Sequence, residues 1–152
     1  MGPNGDDGAD FFDAFDAFAR AVRRARGAQA ANGGLTLSQY GLLEGLTNRP
    51  AARVQELAGE AGITPSTATR ILDALERRGV VERVRSNEDR RAVAVSLTGL
   101  GRQMLHDQQD WLRGRERAFY ESLPEAEQEL APDLLLRLAA LIDELAAGSQ
   151  PV

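Results

Sequence analysis

Thr64, Ser66, Thr67, Thr69 and Arg70 crowd into seven consecutive positions, and a second group, Asp89-Arg90-Arg91, follows further along the chain. Small hydroxyls approach a partner closely and both donate and accept hydrogen bonds. A guanidinium presents a rigid fork of donors that matches a phosphate or a guanine edge. This is the chemistry of recognition, in which no covalent bond is made. The residues needed for bond making are missing or misplaced. The chain has no cysteine and a single histidine, His106. Disulfides, thiolate nucleophiles, Cys-ligated zinc, thiol redox sensing and any His-based metal cluster are thereby removed. No Asp/Glu spacing resembles a calcium loop. No nucleophile stands beside a base, and Gly99-Leu100-Gly101 is too short for a glycine-rich phosphate loop. The sequence is read as a non-enzyme that uses neither metal nor cofactor.

At 152 residues, 43% hydrophobic and 27% charged, the chain has ordinary globular composition. That length suits one domain, or a small domain with a dimerisation element. No apolar run approaches the ~20 residues of a membrane span. The N-terminus, Met1-Gly2-Pro3-Asn4-Gly5-Asp6-Asp7-Gly8, lacks the basic and apolar regions of a signal peptide. A cytoplasmic protein without a membrane partner is expected. The net charge of −5 argues at first against a nucleic-acid partner. Its distribution matters more than the sum. Residues 53–91 carry eight Arg against seven Asp and Glu, and the remainder carries ten against sixteen. The acidity therefore lies outside the segment that holds both clusters.

The elements that must carry those clusters follow from periodicity. Residues 1–8 read as a mobile tail. Phe11, Phe15, Phe18 and Val22 form one apolar stripe on a helix expected from Ala9 to about Ala31, stopped by Asn32-Gly33-Gly34. Ser38 caps or lies early in a second helix with apolar Leu42, Leu43 and Leu46, ended by Asn48-Arg49-Pro50. A short helix is expected over Val54 to Ala61. After Gly62 a longer one runs from Pro65 to Arg78, with Thr64 before the proline and Gly79 as its stop. Val80 to Arg85 and Ala92 to Leu97 read as strands, the second alternating Val93, Val95 and Leu97 with Ala92, Ala94 and Ser96. Ser86 to Arg91 is the polar tip between them. A long helix is expected from about Thr98 to Leu123, with Leu97, Leu100, Met104, Trp111 and Phe119 on its buried face. A last helix opens at Pro124 and carries a seam of Leu134, Leu138, Leu141 and Leu145 to about Ala147.

Within this order, residues 54–71 meet the requirements of a helix-turn-helix. Ala58 is small where the two helices cross, and Gly62 makes the sharp turn four residues later. Leu57, Ala61, Ile63, Ala68 and Ile71 fill the apolar positions, and Leu72 and Leu75 extend the face. Ser66, Thr67, Thr69, Arg70 and Asp73 then point away from the core, where the start of a recognition helix reaches base edges and phosphates. A hairpin directly after such a helix is a wing. Arg90 and Arg91 at its tip suit a minor groove, with Asp89 orienting one arginine by an ion pair. DNA-binding residues are expected at Thr64, Ser66, Thr67, Thr69, Arg70, Arg90 and Arg91.

These residues resemble the MarR family of bacterial transcriptional regulators. The resemblance rests on Leu57-Ala58, on Ser66 through Arg70, on Leu72 through Arg83, and on Asp89-Arg90-Arg91 followed by Val95-Ser96-Leu97-Thr98-Gly99-Leu100-Gly101. It covers residues 9–147. The expected fold is mainly α with a small β-hairpin wing, a winged helix-turn-helix with N- and C-terminal dimerisation helices. The corresponding division is a tail over 1–8, an N-terminal dimerisation helix over 9–34, a DNA-binding module over 35–97, and C-terminal helices over 98–152.

The resemblance implies a homodimer on double-stranded DNA, a reading shared by the exposed-looking apolar stripes. Phe11, Phe15, Phe18, Leu134, Leu138, Leu141 and Leu145 are too apolar to leave in water and are the expected dimer interface. A symmetric dimer implies a pseudo-palindromic operator with half-sites about one DNA turn apart. The resemblance also implies a small aromatic or phenolic effector, for which Phe18, Tyr40, His106 and Trp111 are the candidate pocket residues. Oxidant sensing through cysteine is excluded. The expected function is a ligand-responsive repressor. The alternatives are an activator of the same fold and a winged helix that binds protein, the latter suggested by the weak positive charge of residues 53–91.

Overall fold

The computed structural model describes residues 7–28, 30, 33–85 and 93–148. These form six helices and a two-stranded hairpin. The order is α1 (Asp7–Gly27), α2 (Leu37–Glu44), α3 (Val54–Ala61), α4 (Pro65–Arg77), β1 (Val81–Arg85), β2 (Val93–Leu97), α5 (Gly99–Ser122) and α6 (Glu125–Gly148). The chain forms two compact units, residues 1–109 and 110–152, with α5 contributing to both.

The first unit is organised by an apolar core. Leu42, Leu43 and Leu46 meet Leu57 and Ala58 of α3, Leu72 and Leu75 of α4, and Val80, Val95 and Leu105. Burying each large aliphatic side chain contributes about 1.5–3 kcal/mol. Among the described residues no polar or charged side chain is buried, so the core carries no unpaired polar group. Ala58 is only 1% exposed and Gly62 lies in the left-handed region at φ 65°, where L side chains are strained. The amide of Ile63 returns to the carbonyl of Ala58. Together these make the close crossing and tight turn between α3 and α4.

The hairpin is antiparallel, with Val81 opposite Leu97 and Arg85 opposite Val93. Ala52 adds a bridge to Val95 through two backbone hydrogen bonds, so the segment before α3 lies on the outer edge of β2. At the end of β2 the Thr98 hydroxyl donates to the Gly79 and Val80 carbonyls and accepts from the Gly101 amide. A Cβ on Gly101 would sit 2.0 Å from the Val80 carbonyl oxygen. Here α5 approaches the backbone after α4 too closely for any side chain.

Several boundaries differ from the sequence reading. The first helix spans Asp7–Gly27 and stops at its own glycine, five residues or more before Asn32-Gly33-Gly34. Glycine is a poor interior residue and ends the helix without help from the later pair. Residues 7 and 8 belong to this helix, while the rest of the expected tail lies outside the described residues. Of the two readings of Ser38, the structure has the second: Thr36 caps α2 through a capping box with Gln39, and Ser38 lies in the first turn. That helix ends at Glu44, with Gly45 as its cap, before Asn48-Arg49-Pro50 is reached. A Cβ on Gly45 would lie 2.6 Å from the Glu60 carboxylate and 2.8 Å from Leu57, so close packing on α3 explains the glycine. The second strand does not alternate cleanly, because Ala94 and Val95 are both buried while Val93 is exposed. Ala52 pairs along the free edge of β2, and Val95 and Leu97 join the core.

The buried face expected for α5 is also corrected. Gly101 and Leu105 are buried and Met104 is half-buried, whereas Leu100, Trp111 and Phe119 are 52%, 59% and 65% exposed. The helix contacts the core only at its start. In the second unit α6 passes through Pro132 and buries none of its residues. The side chain of Gln128 donates to the Leu123 carbonyl, and Arg137 pairs with Asp133 one turn away. Among the described residues no helix is long and apolar enough to cross a membrane.

Candidate functional site

The exposed face of α4 begins with its cap. Thr64 has extended backbone and its hydroxyl oxygen accepts the Thr67 amide at 3.2 Å, while Pro65 occupies the first helical position. The hydroxyls are tied to one another and to the helix. Thr64 Oγ1 donates to Thr67 Oγ1 at 2.9 Å and lies 3.2 Å from Ser66 Oγ, and Thr69 Oγ1 donates to the Pro65 carbonyl at 2.9 Å. The sequence expectation that these groups point outward holds for Thr64, Ser66 and Thr69, which are exposed, while Thr67 is half-buried. Their oxygens keep lone pairs for an outside donor. Arg70 is exposed and makes no hydrogen bond or ion pair among the described residues. Among the described residues it is a cation without a partner, one turn beyond the hydroxyls.

The next turn is different. Asp73 and Glu76 converge on Arg83 of β1, whose Nη2 donates to Asp73 Oδ1 at 2.6 Å and whose Nη1 pairs with Glu76 Oε2. The hydrogen bond to Asp73, with the charges of Glu76 and Asp73, raises the Arg83 guanidinium above its ordinary value against the opposing effect of burial. Arg83 thus stays charged at any workable pH. At the end of α4, Arg78 reaches back to the Gly33 and Gly34 carbonyls and to Gln39. Arg49 joins the segment after α2 to α3 through Gly45 and Glu60. The sequence analysis missed all three arginines. Apart from Gly45, four residues before Arg49, the partners lie seven or more residues away in sequence, so local spacing carried little signal.

Asp89, Arg90 and Arg91 lie outside the described residues. The two strands that flank them, Val81–Arg85 and Val93–Leu97, leave the core in antiparallel pairing directly after α4. Of the proposed pocket residues, Tyr40 packs against the core and its hydroxyl lies 3.3 Å from Glu44 Oε1. Phe18 and His106 are exposed in the first unit, and Trp111 is exposed in the second. A cleft of about 210 Å³ in the first unit is lined by Leu46, Arg49, Ser96 and Arg102 with their neighbours, and by none of those four. The proposed interface residues present apolar surface. Phe11, Phe18, Leu134, Leu141 and Leu145 are exposed, and Phe15 and Leu138 are half-buried. No group of three or more His, Cys, Asp or Glu among the described residues is placed to hold a metal ion.

Comparison with known proteins places this arrangement. The family model described as MarR matches residues 35–93, which contain the helix-turn-helix and the start of β2. The HTH-type transcriptional regulator FarR of Neisseria gonorrhoeae is 31% identical over 111 residues, covering 73% of this chain and 76% of that protein. Four further curated regulators are matched over between 40% and 63% of their own length. Among solved structures, the transcriptional repressor CouR bound to a 23-mer DNA duplex is 30% identical, with 84% of this chain and 89% of that one covered and a TM-score of 0.64. BpsR of Bordetella bronchiseptica, whose DNA binding is regulated by 6-hydroxynicotinic acid, shares the fold at 21% identity and a TM-score of 0.64, over 84% of this chain and 98% of that one. By its helix-turn-helix, its paired strands and these matches, the chain belongs to the MarR family, whose members are DNA-binding transcription regulators and not enzymes.

Proposed function

We propose that the protein is a homodimeric, ligand-responsive repressor that occupies a pseudo-palindromic operator. The observation that carries this reading is Arg70, a guanidinium without a partner among the described residues, held on the exposed face of a capped helix beside four hydroxyls. Arg70 would take a guanine edge in the major groove, and Thr64, Ser66, Thr67 and Thr69 the phosphates and base edges around it. Arg90 and Arg91 would enter the adjacent minor groove, with Asp89 orienting the tip. The exposed apolar faces of α1 and α6 support a second copy of the chain as partner. Because it acts on the chromosome, the protein would work in the cytoplasm.

The effector in this reading is a small aromatic or phenolic compound, with Phe18, Tyr40 and His106 of the first unit and Trp111 of the second as candidate contacts. Support comes from BpsR, whose DNA binding responds to 6-hydroxynicotinic acid. A ligand releases the operator only if it prefers a spacing of the two recognition helices that DNA does not. Footprinting on the DNA flanking the protein's own gene, followed by in-vitro transcription, tests the proposal. It predicts two protected half-sites about ten base pairs apart, centre to centre, and less transcript when protein is added. More transcript would replace repression with activation. No protection at low salt would favour the protein-binding winged helix.

A further inference from the structure

The exposed face of the recognition helix carries an arrangement whose charges conflict unless a third residue resolves them. At 100° per residue, Ser66, Arg70, Asp73 and Arg77 fall on one stripe of α4, with Glu76 beside it. Asp73 stands three positions after Arg70, the spacing at which opposite charges on a helix pair with each other. An Arg70–Asp73 pair would occupy the guanidinium needed for a guanine edge. It would also leave a carboxylate facing the phosphates. The structure shows neither. Asp73 is bonded to Arg83 at 2.6 Å, Glu76 is bonded to the same guanidinium, and Arg70 is left without a partner among the described residues. An arginine fork holds two carboxylates at once, which an ammonium on a flexible stem does poorly. Arg83 reaches both because β1 turns back along α4 directly after Gly79, whose φ is 72°.

We infer that Arg83 is a positioning residue for DNA recognition: it draws Asp73 and Glu76 toward the wing, cancels their charge and keeps Arg70 unpaired. The inference rests on the DNA-binding reading above and adds a residue that makes no contact with DNA itself. It predicts that loss of Arg83 harms binding through the carboxylates it releases. Removing those carboxylates should then repair the loss, although the ion pairs themselves stay broken.

The test uses the full chain as wild type, R70A, R83Q and R83Q/D73N/E76Q. Each is titrated by fluorescence anisotropy into duplex DNA flanking the protein's own gene and melted by circular dichroism. R83Q is expected to bind about three- to tenfold more weakly than wild type, the scale of a charge change at an interface rim. The triple variant should return to within about twofold of wild type. A triple variant as weak as R83Q would overturn the inference, because Arg83 would then serve only the fold. If R83Q does not fold, R83K and R83K/D73N carry the same comparison. The ammonium cannot bridge both acids, and D73N should again restore binding. Recovery supports the inference, and no recovery overturns it. Should wild type fail to bind DNA at low salt, the regulator reading falls and takes this inference with it. Binding by wild type that R70A weakens, without repair in the triple variant, sinks the inference alone.

Discussion

Gly101 and Thr98 show how single residues shape this molecule. The Thr98 hydroxyl closes the first turn of α5 and holds the carbonyls of Gly79 and Val80, and Gly101 lets α5 touch that backbone. G101A therefore places a methyl where the Val80 oxygen already sits. It should cost about 3 kcal/mol or prevent folding, seen as a lowered Tm in thermal denaturation. An unchanged Tm would show that the contact relaxes freely. T98V, which keeps the shape and loses the hydroxyl, should cost about 1 kcal/mol by the same measurement, and a neutral result would remove its role as a cap. The Leu97-Thr98-x-x-Gly101 pattern was visible in the sequence, but its reason was not, because the glycine answers to the backbone of Val80, in the segment after α4. The cluster from Thr64 to Arg70 was legible, since a cap, a proline and a run of hydroxyls follow from local spacing. The Arg83 clamp was not legible, because it depends on where β1 returns relative to α4.

At the scale of elements, the helix-turn-helix was read most closely. The short helix over Val54 to Ala61 matches α3 at both ends, and α4 ends one residue earlier than expected. Its boundaries are marked by local chemistry: Thr64 and Pro65 at the start, and glycines at both turns. T64A should remove the cap of α4 and lower stability by about 1 kcal/mol, with T64S retaining most of it. If denaturant unfolding shows T64A and T64S equally stable, the cap contributes nothing. The long helices were harder. Periodicity marked Leu100, Trp111 and Phe119 of α5 as apolar, yet these side chains are exposed. An apolar stripe shows that a face needs covering without showing whether the cover is the same chain or another. The end of α1 was missed for a different reason: Gly27 competed with the stronger Asn32-Gly33-Gly34 signal, and the nearer glycine won.

For the whole molecule, the same uncovered faces become an argument for assembly. Phe11, Phe12 and Phe18 on α1 and Leu134, Leu141 and Leu145 on α6 expose large apolar side chains. The account expects sedimentation equilibrium at twice the chain mass, and L134E/L141E at the mass of one chain. That variant should also bind DNA about 100-fold more weakly or worse, because two linked half-site contacts become one. A wild-type protein sedimenting as a single chain at micromolar concentration would remove the dimer.

The central claim is that Arg70 and the wing arginines hold this protein on DNA, and salt-dependent binding tests it most directly. Fluorescence anisotropy with DNA flanking the protein's own gene, at several salt concentrations, is compared for wild type, R70A and R91A. Tight binding that weakens with salt is expected. R70A should lose about 1–3 kcal/mol of affinity for that DNA, and R91A should bind more weakly with a salt slope shallower by about one. No binding at low salt, or binding that neither substitution changes, would contradict the account.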